Sequence, residues 1–159
     1  MKIRYLGHSC VEIVGRHHIL IDPDFTREPL PDVEYICVSH AHKDHLGKVA
    51  QIPTGIVLAS QDVCEIALKM GVPSSRLQPV SVGEHIDNIE ILPGFSVVKD
   101  PVYFIFRLLF RFSIPDPGGT PLSFFLFRMM QTYSMLVMLI NFRWRFIRIF
   151  YVFHGALRS

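Results

Sequence analysis

Short apolar runs separated by turn residues dominate the first hundred positions of the chain. Residues 2–6, 10–14 and 18–22 each mix aliphatic or aromatic side chains with polar ones, and Gly7 and Gly15 interrupt them. Runs of this length bounded by glycine are typical of β-strands. We therefore predict three successive strands at the start of the chain.

The same pattern continues further along the chain. Short apolar runs that we predict as strands lie at 35–38, 56–59, 78–82, 85–86 and 89–92. Residues 22–32 contain Pro23, Pro29 and Pro31, and proline removes backbone N–H donors and fixes φ. We predict that this segment is an irregular loop and forms one wall of a substrate pocket.

One segment, residues 61–70, has helical periodicity. Its predicted buried face consists of Val63, Ile66, Ala67 and Met70. Asp62 and Glu65 have the spacing of a capping box, and Gly71 follows the predicted end.

The densest group of chemistry-bearing side chains is Ser-His-Ala-His-Lys-Asp-His-Leu-Gly at 39–47. It follows the predicted strand 35–38 and precedes a predicted helix start, so we place it on a strand-to-helix turn. Loops at strand ends carry the chemistry of many α/β proteins. Clustered histidines also occur on solvated loops, but the apolar strand before this group favours a metal site.

The spacing of the group has a physical logic. His40 and His42 are two residues apart, so on extended backbone they project the same way and can bind one ion. Asp44 and His45 are adjacent on a turning backbone and can reach a second position. Two ions about 3.5–4 Å apart form a common hydrolytic arrangement. Imidazole and carboxylate suit zinc, manganese or iron, and zinc is our first expectation.

The group His-Ala-His-Lys-Asp-His at 40–45 resembles the signature of the metallo-β-lactamase superfamily. Residues 1–10 and 18–23 resemble, within it, the branch of uncharacterised metal-dependent hydrolases, ascorbate-phosphate lactonases and N-acylphosphatidylethanolamine phospholipase D enzymes. The resemblance covers about residues 1–122. It implies an α/β fold, an αββα sandwich, of which this chain holds the N-terminal half; the order of predicted strands and helix agrees.

The resemblance also implies a reaction and residue roles. A metal-bound hydroxide would attack an ester, lactone, amide or phosphodiester of a small-molecule substrate. His40 and His42 would hold the first ion, Asp44 and His45 the second, and Asp44 would also be catalytic. Asp22 would orient the metal-binding turn from a strand end. His8 is either a pocket residue or a turn histidine hydrogen-bonded to backbone.

Other parts of the family pattern are missing from the sequence. The third histidine of the first ion is expected near 93–96, which reads Pro-Gly-Phe-Ser, no Gly-Asp turn follows Leu122, and His154 is the one late histidine. A catalytic zinc usually has three protein ligands. We therefore expect an incomplete site, which leaves open whether the chain is an enzyme. The alternative is a non-catalytic metal-binding or membrane-associated remnant of the fold.

Charge divides the chain into two unlike parts. Residues 1–100 hold 9 Lys and Arg against 13 Asp and Glu, whereas 101–159 hold seven Arg, no Lys and one acid, Asp116. Eleven of the 13 phenylalanines also lie after residue 100. We predict a metallo-β-lactamase-like part at 1–122 and an atypical tail rich in Arg, Phe and Met at 123–159.

Three accounts of the tail remain open. It is a truncated or frame-shifted product, a membrane-associated segment, or ordinary core. Residues 122–142 approach the roughly 20 apolar residues that span a bilayer, but Arg128 and Gln131 interrupt them. A span at 122–142 would leave Arg143, Arg145 and Arg148 as a basic flank, and the wider region 122–153 is the candidate for membrane association.

The remaining features concern compartment and partners. Cys10, Cys37 and Cys64 each lie in an apolar run, which favours buried thiols in a reducing compartment. No cleavable signal peptide opens the sequence, so we expect a cytoplasmic protein. The metal-bearing part is acidic, and we therefore expect no nucleic-acid partner, since phosphate binding needs a basic path.

Overall fold

A computed structural model describes residues 1–94, 121–129, 134–140 and 147–153. They form two β-sheets and two α-helices. The first sheet has the order β1-β2-β3-β4-β5-β6 and the second the order β11-β10-β9-β8-β7.

The first sheet is mixed. Its strands are β1 (Lys2–Gly7), β2 (Cys10–Val14), β3 (His18–Ile21), β4 (Tyr35–Cys37), β5 (Ile56–Ala59) and β6 (Leu77–Pro79). The first three pair antiparallel, and β3 through β6 pair parallel. The parallel order brings the carboxyl ends of β3 and β4 to one edge, so residues that follow these strands meet there.

The second sheet is antiparallel. Its strands are β7 (His85–Ile86), β8 (Ile89–Pro93), β9 (Leu122–Met129), β10 (Ser134–Ile140) and β11 (Ile147–Phe153). In the pairing of β8 with β9, Ile89 lies opposite Leu126 and Pro93 opposite Leu122. The second sheet thus crosses the predicted boundary between 1–122 and 123–159.

Alternation along the strands of the first sheet produces two cores. In β3, Leu20 contacts the core on the α-helical face, whereas Ile19 and Ile21 contact the core facing the second sheet. Ile89 and Phe124 of the second sheet are buried in that inter-sheet core. The layers are therefore helix, sheet and sheet, as expected for one half of an αββα sandwich, and the predicted fold class is confirmed.

The predicted helix at 61–70 is confirmed as α2 (Gln61–Lys69), with Val63, Cys64 and Ala67 buried. The predicted capping box is wrong: Ser60 is the N-cap and makes no side-chain cap bond. Asp62 instead accepts from the backbone N–H of Val63 at 3.1 Å. Met70, predicted on the buried face, lies at the C-cap and is 41% exposed, so that part of the predicted face is wrong.

Other predicted elements differ in their bounds. The predicted strand 78–82 is the shorter edge strand β6, which ends at Pro79. The sequence predicts a helix start after the histidine group. The helix there, α1 (Lys43–Leu46), has four residues and begins inside the group instead. Asp44 and His45 therefore lie on the first helical turn. The loop predicted at 22–32 contains no helix or strand.

The three cysteines are buried and free, as predicted. Burial raises the pKa of the Cys64 thiol to about 11. No helix in the described part of the chain is long and apolar enough to cross a bilayer.

Candidate metal centre

Asp22 lies at the end of β3, buried and in a left-handed conformation with φ 47°. Its backbone N–H donates to the carbonyl of Cys37 at 2.9 Å, which ties the turn after β3 to the end of β4. Its carboxylate accepts from the backbone N–H of Ser39 at 2.8 Å. The carboxylate is therefore fixed beneath residues 39–47, which we call the metal loop.

Ser39 connects Asp22 to two histidines. Its hydroxyl oxygen lies 2.9 Å from each carboxylate oxygen of Asp22 and 2.9 Å from Nδ1 of His40. Nδ1 of His45 lies 2.8 Å from Oδ2 of Asp22 and 3.3 Å from the Ser39 hydroxyl. A hydroxyl has one proton to donate and two lone pairs that accept. With that proton given to Asp22, both histidines use Nδ1 as a donor and carry a lone pair on Nε2.

The three imidazoles of the metal loop lie against one another. The ring centroids of His40 and His42 are 4.7 Å apart, and those of His40 and His45 are 4.0 Å apart. Nε2 of His40 lies 2.9 Å from Nδ1 of His42. Two nitrogens bound to one tetrahedral zinc at 2.0–2.1 Å would be roughly 3.3 Å apart. A small separation of these rings would therefore admit an ion, and the donor set fits zinc.

Electrostatics differ between the two buried histidines. Burial, followed by the neighbouring His45, lowers the pKa of His40 to about 4, which keeps its imidazole neutral. Burial also acts to lower the pKa of His45, but the hydrogen bond to Asp22 and the charges of Asp22 and Asp44 outweigh it and raise that pKa. A neutral imidazole is the form that binds a metal.

Asp44 is the exposed member of the group. Its side chain is 68% exposed, and Oδ2 lies 3.6 Å from Nε2 of His45. The N–H of His45 donates to the carbonyl of His42 at 2.9 Å, so the first turn of α1 holds the Asp44 and His45 backbones in place. Asp44 and His45 thus lie side by side, with their metal-binding atoms toward each other.

The structure brings His40, His42, Asp44 and His45 together on one loop above Asp22. In the described part of the chain, no three His, Cys, Asp or Glu side chains already converge as the ligands of one ion. Phe95, Ser96 and His154, which entered the prediction of an incomplete site, lie outside the described residues. The predicted ligand roles, and the catalytic role of Asp44, therefore stay predictions.

His8 lies in the turn between β1 and β2, where its Nδ1 is 2.6 Å from Oδ2 of Asp24. Among the described residues no hydrogen bond from its ring to backbone, the alternative interpretation, is seen; its carbonyl accepts from the Tyr5 hydroxyl at 2.7 Å. His8 is exposed.

The structure gives a role to two residues that sequence reasoning misses, Ser39 and Asp24. The sequence signal for Ser39 is a polar residue directly after the predicted strand 35–38. The signal for Asp24 is its place two residues after Asp22, across Pro23.

Comparison with known proteins identifies the superfamily of this chain. The family model described as the beta-lactamase superfamily domain matches residues 2–102, so the chain belongs to this superfamily. A UPF0173 metal-dependent hydrolase of Nanoarchaeum equitans is 30% identical over 125 residues, which cover 75% of this chain and 54% of that protein. One of Pyrococcus horikoshii is 38% identical over 131 residues, covering 75% of this chain and 55% of that protein. The chain spans about half the length of these relatives.

Proposed function

We propose that this chain carries the metal-binding loop of a metal-dependent hydrolase that acts on a small-molecule ester, lactone, amide or phosphodiester. The observation that supports it best is the contact of Asp22 and Ser39 with His40 and His45. A carboxylate or hydroxyl on one ring nitrogen, with a lone pair on the other, is the usual arrangement of metal-binding histidines. The printed names of the relatives, metal-dependent hydrolases, point the same way.

In this proposal His40 and His42 hold one zinc ion, and Asp44 with His45 holds a second. Manganese and iron accept the same ligands. A bound zinc ion would supply a Lewis acid and bring the pKa of a coordinated water near 7. Asp22 keeps its carboxylate on Nδ1 of His45 throughout, which fixes the ring orientation.

The geometry of Asp44 supports its proposed catalytic role. Its carboxylate is the most exposed of the four side chains, whereas His40 is 2% exposed and His45 8% exposed. A substrate arriving from solvent would therefore meet Asp44 first. The buried histidines would serve as the fixed part of the site.

A second candidate function is metal binding without turnover. The observation that favours it is the small ligand set: the metal loop offers two side chains for each ion, and a catalytic zinc usually has three. With two ligands the ion is held loosely, and misalignment alone can lower a rate by about 10²-fold. We therefore propose that hydrolysis by this chain alone is slow.

One experiment separates these proposals. Purified chain is loaded with zinc and desalted, and the zinc content is measured by elemental analysis. The double variant His40→Ala with His42→Ala should lose bound zinc, because two ligands vanish together. The matched control replaces two histidines outside the metal loop, His17→Ala with His85→Ala, and should keep it. Equal zinc in both double variants would contradict the proposed ligands.

The zinc-loaded protein is then assayed on an ester, a lactone, an amide and a phosphodiester. Zinc-dependent turnover that the control retains and the His40 and His42 variant loses supports the hydrolase. Bound zinc with no turnover on any of the four substrates supports the non-catalytic alternative.

A further inference from the structure

The turn between β1 and β2 is attached to the metal loop by a residue outside the proposed ligand set. The hydroxyl of Ser9 donates to the backbone carbonyl of Asp44 and also lies 3.5 Å from the carbonyl oxygen of Asp22. Asp44 and Asp22 belong to the two segments that build the metal centre. The turn and the centre therefore form one structural unit.

The residue before Ser9 has an unfavourable backbone conformation. His8 has φ 47°, in the left-handed region that non-glycine residues rarely occupy. The hydroxyl of Tyr5 donates to the His8 carbonyl at 2.7 Å and holds this conformation. Strained residues of this kind concentrate at functional sites, because the surrounding contacts must maintain them.

The imidazole of His8 is oriented by a carboxylate. Its Nδ1 lies 2.6 Å from Oδ2 of Asp24, whose side chain is 17% exposed. The backbone N–H of Asp24 donates to the Asp22 carbonyl at 2.7 Å. The Asp24 side chain also lies against Gly47 of the metal loop, where an added Cβ would be 2.8 Å from Oδ1. Asp24 is thus fixed on both sides.

This arrangement determines which nitrogen of His8 is available. Since Nδ1 donates to Asp24, the lone pair of neutral His8 is on Nε2. The His8 side chain is 58% exposed, so a small molecule in solvent can reach it, and its partner Asp24 lies against the metal loop at Gly47. A carboxylate that fixes the tautomer of a histidine beside a reacting group is the arrangement of histidine bases in hydrolytic enzymes.

We propose that His8 is a catalytic proton-transfer residue of this site, oriented by Asp24; the proposal rests on the proposed hydrolase function. Nε2 accepts a proton from the attacking water as its oxygen bonds to the acyl centre. The bond from that centre to the leaving oxygen then breaks, and Nε2 returns the proton to the leaving oxygen. Water adds across the cleaved bond, and His8 ends as it began.

The first test uses leaving groups of different basicity. Zinc-loaded wild type and His8→Gln are assayed on a p-nitrophenyl ester and on an alkyl ester of the same acid. An alkoxide needs the proton and p-nitrophenolate does not. We expect His8→Gln to lose about 10²-fold on the alkyl substrates and a smaller factor on the nitrophenyl ones, where only the removal of the proton from water is lost. His85→Gln, an exposed histidine of the second sheet, is the matched control and should match wild type on both.

The second test does not depend on turnover. Nitrogen NMR of the metal-free chain, labelled at histidine, reports which ring nitrogen of His8 carries the proton. We expect Nδ1–H in wild type and a shift of population toward Nε2–H in Asp24→Ala. An unchanged tautomer in Asp24→Ala would overturn the role of Asp24.

Zinc content separates failure of this proposal from failure of the hydrolase proposal. His8→Gln should bind as much zinc as wild type, and a loss of zinc would overturn the proposal by making His8 a ligand. Equal turnover of wild type and His8→Gln on every substrate would overturn the role of His8 alone. Zinc-loaded wild type without turnover on any substrate would overturn both proposals together.

Discussion

Oδ2 of Asp22 lies 2.8 Å from Nδ1 of His45, although 23 residues separate them in sequence. The contact forms because Asp22 follows β3, and the metal loop follows β4, at the same edge of a parallel strand pair. Both side chains are buried. A buried carboxylate needs a partner, and here the partner is the histidine that we propose as a ligand.

This contact predicts that Asp22→Asn keeps the fold but weakens zinc affinity. Asparagine leaves the shape unchanged and removes the charge that orients the His45 ring. We expect a loss of about 10–100-fold in affinity, measured by competition with a chromophoric chelator, with circular dichroism to confirm folding. Glu28→Gln, an exposed acid of the same loop, is the control. An affinity equal to that of wild type would show that Asp22 serves only the strand end.

Ser39→Ala should destabilise the chain, whereas the same change at Ser60 should not. The Ser39 hydroxyl contacts Asp22, His40 and His45, and its removal takes a hydrogen-bond partner from each of these side chains. We expect a loss of about 1–3 kcal/mol in the free energy of unfolding, measured by urea denaturation of the metal-free protein. Ser60 is equally buried, but its hydroxyl has no hydrogen-bond partner among the described residues. Equal losses at the two positions would contradict the role given to Ser39.

A third prediction concerns the pH dependence of Glu34. The hydrogen bond from His17 at 2.8 Å lowers the pKa of this carboxyl below its usual value. The ionised Glu34 carboxylate therefore stabilises the folded chain above the usual pKa of a glutamate, and this stabilisation is lost as pH falls through the lowered pKa. Because the Glu34 side chain is half exposed, the effect on unfolding should be less than about 1 kcal/mol.

Carbon NMR of the Glu34 carboxyl, recorded against pH, gives the pKa directly. His17→Gln should raise it toward the value of an ordinary glutamate, and His85→Gln should leave it unchanged. A titration midpoint that is the same in wild type and His17→Gln would mean that the observed contact does not persist in solution.

Much of the fold could be predicted from the sequence because its strands are short, apolar and bounded by turn residues. Strands β2, β4 and β5 lie within a residue of the predicted bounds, since their side chains alternate between two cores. The capping of α2 could not be predicted, because Ser60 and Asp62 are both good N-cap residues and local pattern does not choose between them. The position of α1 inside the histidine group was equally ambiguous.

The sequence groups only those candidate site residues that lie close together along the chain. His40, His42, Asp44 and His45 are neighbours in sequence, so spacing alone groups them. The contacts of Ser39 with Asp22, and of His8 with Asp24, join residues 16 or 17 apart. Such contacts depend on which strands pair, which a single sequence does not specify.

The last prediction tests whether the segment after residue 121 belongs to the folded domain. Phe124 of β9 is 1% exposed and packs in the inter-sheet core with Ile89 and Ile91 of β8. Phe124→Ala should therefore cost about 3–5 kcal/mol in the free energy of unfolding, as for other buried phenylalanines. Leu68→Ala, at a position 49% exposed on α2, is the control and should change stability by no more than about 0.5 kcal/mol. Both values come from urea denaturation of the metal-free chain.

If Phe124→Ala and Leu68→Ala had equally small effects, the folded domain would end before β9, and 123–159 would be a separate tail as the sequence predicts. A large loss confined to Phe124→Ala would instead make β9 part of the core and move that boundary toward the C-terminus.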